Sequence, residues 1–381
     1  MIVDDIDALS VEQINWLLHP PIEGSLSGAG GVEPPRQSST GRSADDVDEP
    51  SGAGASASAP GMVQDPARTD QEWRASRVTP EADPLSGEAS LAAEFSVPTF
   101  FGSDRFVGAT MAGVFEHPSL RTRSAFAGAA YAVGALPVFF VGDEIGIDTR
   151  ESAEDVAHLL CEHHQLIGAR LRSHDTFVRM AEVAMAYGRP MVNLLTDWAH
   201  PTQALADLIT IVEHLGVEPG APLPSLRIAY LGDANNVARS LTKAAIAVGW
   251  DITIAAPNGH QFGVEDVASF ATYRKLCGTE SRVELTDDPS AAVREARVLY
   301  TDVWVSMGET GTTEPFEGFA IDEELLLSAP ADAFVMHCLP AHRGMEIAAS
   351  VIDSERSVVW AQARNRLVAM ERLFRLISEE D

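Results

Sequence analysis

From about Phe106 onward, apolar runs of strand length alternate with longer segments of helical spacing, and this alternation is what most restricts the fold. Strands separated by helices pair in parallel, because the crossover helix carries the chain back to start the next strand in the same direction. The strand candidates are 111–115, 137–141, 190–193, 226–231, 251–255, 298–301, 333–337 and 357–360, with 106–115 as one buried run. Apolar spacing predicts helices over 201–215 and 365–377. The expected class is α/β, with two domains that each hold a mainly parallel sheet flanked by helices. A chain of 381 residues is long enough for two.

The N-terminal part differs. Residues 9–18 read as a short helix, with Ser10 as its cap and Gln13 in the capping-box position. Between about 21 and 88, Gly, Ser, Ala, Pro and acidic residues dominate, and large apolar residues are sparse. Such a segment buries too little surface to offset its ordering entropy, so a long disordered acidic insertion is expected.

The chemistry-bearing residues fall where strand candidates end, the edge at which open α/β sheets bind ligands. After 106–115 comes Glu116-His117-Pro118-Ser119-Leu120-Arg121-Thr122-Arg123, then a run of small, helix-compatible residues. A helix start attracts anions through its free N–H groups and dipole, and Arg adds a planar fork that matches phosphate oxygens. A phosphate site is one reading, and an Arg-rich surface turn is the other. At the next such edge, His200 and Gln203 stand three apart at a helix start and can face one point. A structural role for His200 is equally open.

The segment Leu231-Gly232-Asp233-Ala234-Asn235-Asn236 imitates a dinucleotide-binding turn. It lacks the further glycines, and the following strand ends in Ala255-Ala256 without an acidic residue to hold a ribose. Asn235 and Asn236 read instead as contacts to a small substrate. Asp302 and Cys338 close two further strand candidates and could meet a cationic amine, although Cys338 could equally be a buried filler. Cys161 and Cys277 read as fillers or bystanders, and His163 and His164 as solvated. No His, Cys and carboxylate spacing matches a metal site, so no metal is expected.

A net charge of −29 disfavours nucleic acid and anionic membranes as partners, and requires any anion site to gather its cations locally. The only lysines are Lys243 and Lys275, so nearly all positive charge is Arg. No apolar run reaches the ~18 residues of a membrane span. The acidic Met1-Ile2-Val3-Asp4-Asp5 does not read as a signal peptide. Three widely spaced cysteines argue against a disulfide framework and for a cytoplasmic location.

Taken in order, these motifs resemble the aspartate/ornithine carbamoyltransferase family, on its ornithine side. The resemblance covers roughly 5–18 and 106–377. It is carried by Ser119-Leu120-Arg121-Thr122-Arg123, Glu151-Ser152 with Asp155, Arg170, and His200-Pro201-Thr202-Gln203-Ala204-Leu205-Ala206-Asp207-Leu208. It continues through Gly232-Asp233-Ala234-Asn235-Asn236-Val237, Asp302 with Ser306-Met307-Gly308, His337-Cys338-Leu339-Pro340 and Gln362-Ala363-Arg364-Asn365-Arg366. The Ser306-Met307-Gly308 element is similar to the family's ornithine-binding loop.

The resemblance implies transfer of a carbamoyl group from carbamoyl phosphate to the δ-amine of L-ornithine, without metal or organic cofactor, in a homotrimer or a multiple of trimers. It implies that 1–20 is the first helix of a carbamoyl-phosphate domain (91–207), with 21–90 as the insertion. Residues 208–357 would be the ornithine domain, and 358–381 would return to the first. Ser119, Leu120, Arg121, Thr122 and Arg123 would bind the phosphate. Arg170, His200, Gln203, Leu339 and Arg366 would bind the carbamoyl group. Asn236, Asp302, Ser306, Met307 and Cys338 would bind ornithine, and Arg170, His200, Asp302 and Cys338 would be catalytic. The chain departs from the family at Gly142, near the position of a Gln that serves a neighbouring subunit. It also departs at Val156 and His158, where Thr and Arg are usual, and at Arg364, where Glu is usual. Two alternatives remain open: a carbamoyltransferase for another amine, or a silent regulatory paralogue.

Overall fold

The computed structural model describes residues 1–19, 104–305 and 312–379. The expected acidic insertion and the Ser306-Met307-Gly308 element lie outside the described residues. Two five-stranded sheets form, and every strand pair in both is parallel.

The first sheet holds β1 (Ile2–Val3), β2 (Thr110–Phe115), β3 (Leu136–Val141), β4 (Leu166–Arg170) and β5 (Met191–Leu195), in the order β1-β5-β4-β2-β3. Its helices are α1 (Val11–Leu18), α2 (Leu120–Ala132), α3 (Gly142–Ile145), α4 (Ala153–His163), α5 (His174–Ala186) and α6 (Pro201–His214). The second sheet holds β6 (Arg227–Leu231), β7 (Asp251–Ala255), β8 (Val283–Thr286), β9 (Val298–Thr301) and β10 (Phe334–His337), in the order β10-β9-β6-β7-β8. Around it lie α7 (Asn236–Val248), α8 (Val264–Cys277), α9 (Pro289–Val293), α10 (Glu323–Ser328), α11 (Ala349–Ile352) and α12 (Val359–Glu379).

The central strands are apolar along their whole length because helices cover both faces. In β2, Met111 through Phe115 are all buried. Gly168 in β4 marks a close approach: a Cβ there would stand 2.5 Å from Phe126 of α2. The capping box at α1 forms as the sequence predicts, with Ser10 Oγ accepting from Gln13 N–H. The long helix α12 leaves the second sheet and packs on α2 and α6 of the first. There Phe374 meets Phe126 edge-on, with ring centroids 5.4 Å apart.

Four readings need correction. Residues 106–109 do not belong to β2: residues 104–106 form a short 3-10 turn ahead of it. Residues 357–360 are not a strand. Ser357 makes one bridge to Val335, and α12 begins at Val359. His164 is buried rather than solvated, and its Nδ1 lies 2.9 Å from Thr110 Oγ1. Strands β1, β4 and β8 were not anticipated.

The two strand orders explain where a site must form. In the first sheet β2 is flanked by β3 on one side and β4 on the other, so the connections diverge beyond the ends of β2 and β4. In the second sheet they diverge between β6 and β9. Such switch points open crevices at the carboxyl ends of strands. The first pair ends in Phe115 opposite Arg170, and the second in Leu231 opposite Thr301.

Candidate functional site

A cleft of about 730 Å³ runs along the strand ends of both sheets. Its first wall begins at the turn after β2. Ser119 caps α2, its Oγ accepting the Thr122 N–H at 3.3 Å. The start of α2 lines the cleft through Ser119, Arg121 and Thr122. Arg170, at the end of β4, donates to Thr122 Oγ1 at 3.3 Å. From α12, Arg366 spans two groups: Nη2 donates to Thr122 Oγ1 at 2.9 Å and Nη1 to Gln203 Oε1 at 2.8 Å. Three guanidinium groups therefore converge on a wall of an acidic protein. Burial, with Arg366 and Arg121 nearby, pulls Arg170 down to about 10, so it remains cationic at neutral pH.

His200 stands at the start of α6, 3% exposed. Burial and the same arginines push its pKa well below the ordinary value, so the imidazole is neutral and offers one N–H. It is set from behind. Its backbone N–H donates to Ser240 Oγ (2.9 Å), and that hydroxyl donates to Asp5 Oδ1 (2.6 Å). Asp5 and Asp7 in turn hold the buried ammonium of Lys243 at 2.8 and 2.6 Å.

The opposite wall comes from the second sheet. Cys338 Sγ donates to Asp302 Oδ1 at 2.8 Å, and Asn235 Nδ2 donates to Asp302 Oδ2 at 3.2 Å. Burial and the Asp302 charge push the Cys338 thiol well above its ordinary range, so it stays an S–H donor. Asn235 also caps α7, its Oδ1 accepting from the N–H groups of Val237 and Ala238. Asn236 donates to the Thr196 carbonyl, which ties α7 to the end of β5. After Cys338 the backbone turns at Leu339, whose φ of 60° is rare outside Gly. The Leu339 N–H donates to His337 Nδ1 at 2.9 Å, and His337 Nε2 donates to Glu346 at 3.1 Å.

Asp302, His337 and Cys338 bring ligand-type atoms within 4.8 Å of one another. Both nitrogens of His337 are committed to Leu339 and Glu346, and the Cys338 thiol proton points at Asp302, so the trio does not fit a metal cage.

Of the candidate site residues, Ser119, Arg121, Thr122, Arg170, His200, Gln203, Asn236, Asp302, Cys338, Leu339 and Arg366 line this one cleft. Leu120 is 83% exposed, and the Arg123 guanidinium lies 4.9 Å over the Phe139 ring. Neither lines the cleft. The cleft also includes His117, Arg172, Asp197, Arg239 and His342. Sequence reasoning assigned these no role; all but Arg239, which lies inside α7, sit within about five residues of a strand end. Gly142 has a local reason: a Cβ there would stand 2.9 Å from the Glu116 carbonyl oxygen. Arg364 pairs with Glu213 at 3.1 Å on the surface.

Two sequence models of one family match the chain. "Aspartate/ornithine carbamoyltransferase, carbamoyl-P binding domain" matches residues 90–213, and "Asp/Orn binding domain" matches residues 225–377. The chain is 44% identical over 264 residues to the ornithine carbamoyltransferase of Acidothermus cellulolyticus, covering 68% of this chain and 81% of that one. It is 41% identical over 276 residues to that of Methanocaldococcus jannaschii, covering 71% and 88%. The solved ornithine carbamoyltransferase of Pyrococcus furiosus superposes with a TM-score of 0.67 at 35% identity, covering 74% of this chain and 88% of that chain.

Proposed function

Because the chain belongs to the aspartate/ornithine carbamoyltransferase family, we propose that the cleft holds carbamoyl phosphate on its first-sheet wall and L-ornithine on the second. The enzyme transfers the carbamoyl group to the δ-amine of ornithine, giving L-citrulline and phosphate. The observation that carries the site assignment is the convergence of Arg121, Arg170 and Arg366 beside the capped start of α2. In a protein of net charge −29, that grouping fits an anion held by backbone N–H groups and Arg forks.

In this reading Ser119, Arg121 and Thr122 bind the phosphate. Leu120 contributes backbone, and Arg123 acts through the local field. Arg170, His200, Gln203 and Arg366 surround the carbamoyl group, and the Leu339 carbonyl receives its NH2. Asn236, Asp302, Ser306 and Met307 hold the amino-acid end of ornithine, with Cys338 beside the attacking amine. The neutral δ-amine attacks the carbamoyl carbon, and negative charge develops on the carbonyl oxygen. Arg170, still charged, and the neutral His200 N–H are donors aimed at that charge, an arrangement in which one donor contributes about 10²–10³ in rate. Arg121 and the α2 N–H groups stabilise the departing phosphate. Cys338 keeps its proton and steers Asp302 rather than attacking. Alignment of both substrates across the cleft supplies the remainder.

Residues 91–207 with 358–381 form the carbamoyl-phosphate half in this reading, and 208–357 the ornithine half. A homotrimer is supported by the open edge at β3, where Leu136 is 62% exposed and the rest of the strand is half-buried. Uncovered apolar edges call for a partner. A cytoplasmic site fits three free cysteines. Among the described residues, no helix is long and apolar enough to cross a membrane.

The test is citrulline formation by purified protein from carbamoyl phosphate and ornithine, with putrescine and lysine as competing amines and no added metal. Citrulline formation with a marked preference for ornithine is the expected result. A preference for another amine would overturn the ornithine assignment. Folded protein that makes no carbamoylated product would support a silent paralogue.

A further inference from the structure

Asp207 lies on α6, wholly buried, and lines no part of the cleft. Three donors converge on it. Gln203 Nε2 and Gln362 Nε2 reach Oδ1 at 2.8 and 2.7 Å, and Tyr300 OH reaches Oδ2 at 2.9 Å. Burial raises the Asp207 carboxyl to about 7 against the pull of these three donors, and once ionised it only accepts hydrogen bonds, so both amides must turn their nitrogens toward it. Each amide oxygen then faces away and meets a donor of the site. Gln203 Oε1 accepts from Arg366 Nη1 at 2.8 Å, and Gln362 Oε1 accepts the His337 backbone N–H at 2.8 Å. If either amide turned over, donor would face donor.

We propose that Asp207 is a positioning residue for the transfer reaction: by fixing which way Gln203 and Gln362 face, it aims Arg366 at the carbamoyl half of the substrate and anchors the end of β10 from which Cys338 and Leu339 project. The proposal rests on the functional reading above. It joins the two walls of the cleft through one carboxylate, since Gln203 serves the first wall and Gln362 the second. A Leu at this position keeps the approximate size but accepts from none of the three donors, so neither amide is held; an Asn would keep both amides on its oxygen while Tyr300 OH turns to accept its N–H.

The test uses the full chain and three titrations: inorganic phosphate and carbamoyl phosphate by calorimetry, and ornithine by steady-state kinetics. In Asp207→Leu, carbamoyl phosphate affinity falls at least tenfold and the KM for ornithine rises at least fivefold. Phosphate affinity stays within twofold, because Arg121 and the α2 N–H groups do not depend on Asp207. A structural lesion would weaken phosphate and carbamoyl phosphate alike, and that outcome overturns the proposal, as do wild-type values throughout. Gln362→Met serves if Asp207→Leu does not fold. It should raise the ornithine KM and leave carbamoyl phosphate affinity unchanged, and wild-type kinetics there would also overturn the proposal. Failure of the wild-type protein to bind carbamoyl phosphate or form citrulline would instead strike the functional reading itself.

Discussion

Burial and the Asp302 carboxylate keep the Cys338 thiol protonated, so the residue's influence should run through hydrogen bonding. Cys338→Ser is expected to raise the ornithine KM several-fold and leave carbamoyl phosphate affinity alone, which steady-state kinetics with each substrate varied would resolve. Arg121→Ala should do the reverse. A charge-assisted contact is worth roughly 1.5–3 kcal/mol, so kcat/KM for carbamoyl phosphate should fall about 10- to 150-fold at unchanged thermal midpoint. Arg170 gives a pH signature. Its value is depressed to about 10, so the cation is present below that pH and is lost as pH rises through it. The kcat/KM for carbamoyl phosphate, which reports the free enzyme, should therefore turn down near pH 10, well below where an ordinary Arg loses its charge. At this scale part of the cleft was legible, because Arg121, His200 and Asp302 follow anticipated strand ends in recognisable motifs, whereas Arg170 entered only through the family resemblance, its strand being unanticipated. The roles of Asp207 and Tyr300 were not. Their partners are far apart in sequence, and only folding brings α6, β9 and α12 together.

At the scale of elements, strand candidates succeeded where apolar or β-branched residues ran without a glycine, as in β6, β7 and β9. Strand β4 escaped notice because the glycine of Leu-Ile-Gly-Ala-Arg breaks the run after two large apolar residues. That glycine is required by its neighbour. Gly168→Ala would drive a methyl group into the Phe126 ring, and overpacking of this kind costs typically about 1–3 kcal/mol. A thermal midpoint lowered by several degrees, with the KM for both substrates unchanged, is the expected outcome. Residues 357–360 misled for the opposite reason. Val358, Val359 and Trp360 have high strand preference, but the chain there has already paired once with β10 and is turning into α12. The α1 capping box was readable because a cap is a local interaction, complete within four residues.

For the whole molecule, the two-domain α/β architecture followed from the alternation of runs, while the strand orders did not. Two sheets of five parallel strands admit several orders, and the choice depends on which helix covers which face. The acidic segment is a feature of this scale too. Deleting residues 24–87 is expected to leave citrulline formation within about twofold, since long surface insertions add little closure cost. A large fall in thermal midpoint on deletion would show that the segment packs.

The path of α12 has a consequence for biogenesis. The ribosome makes Ser119, Arg170 and His200 well before it makes Gln362 and Arg366, yet the first wall needs all of them. Until α12 emerges, the apolar faces of α2 and α6 that it covers stand open to water. A chain halted before Arg366 therefore lacks the α12 arm of the first wall and leaves the apolar flank that α12 covers exposed.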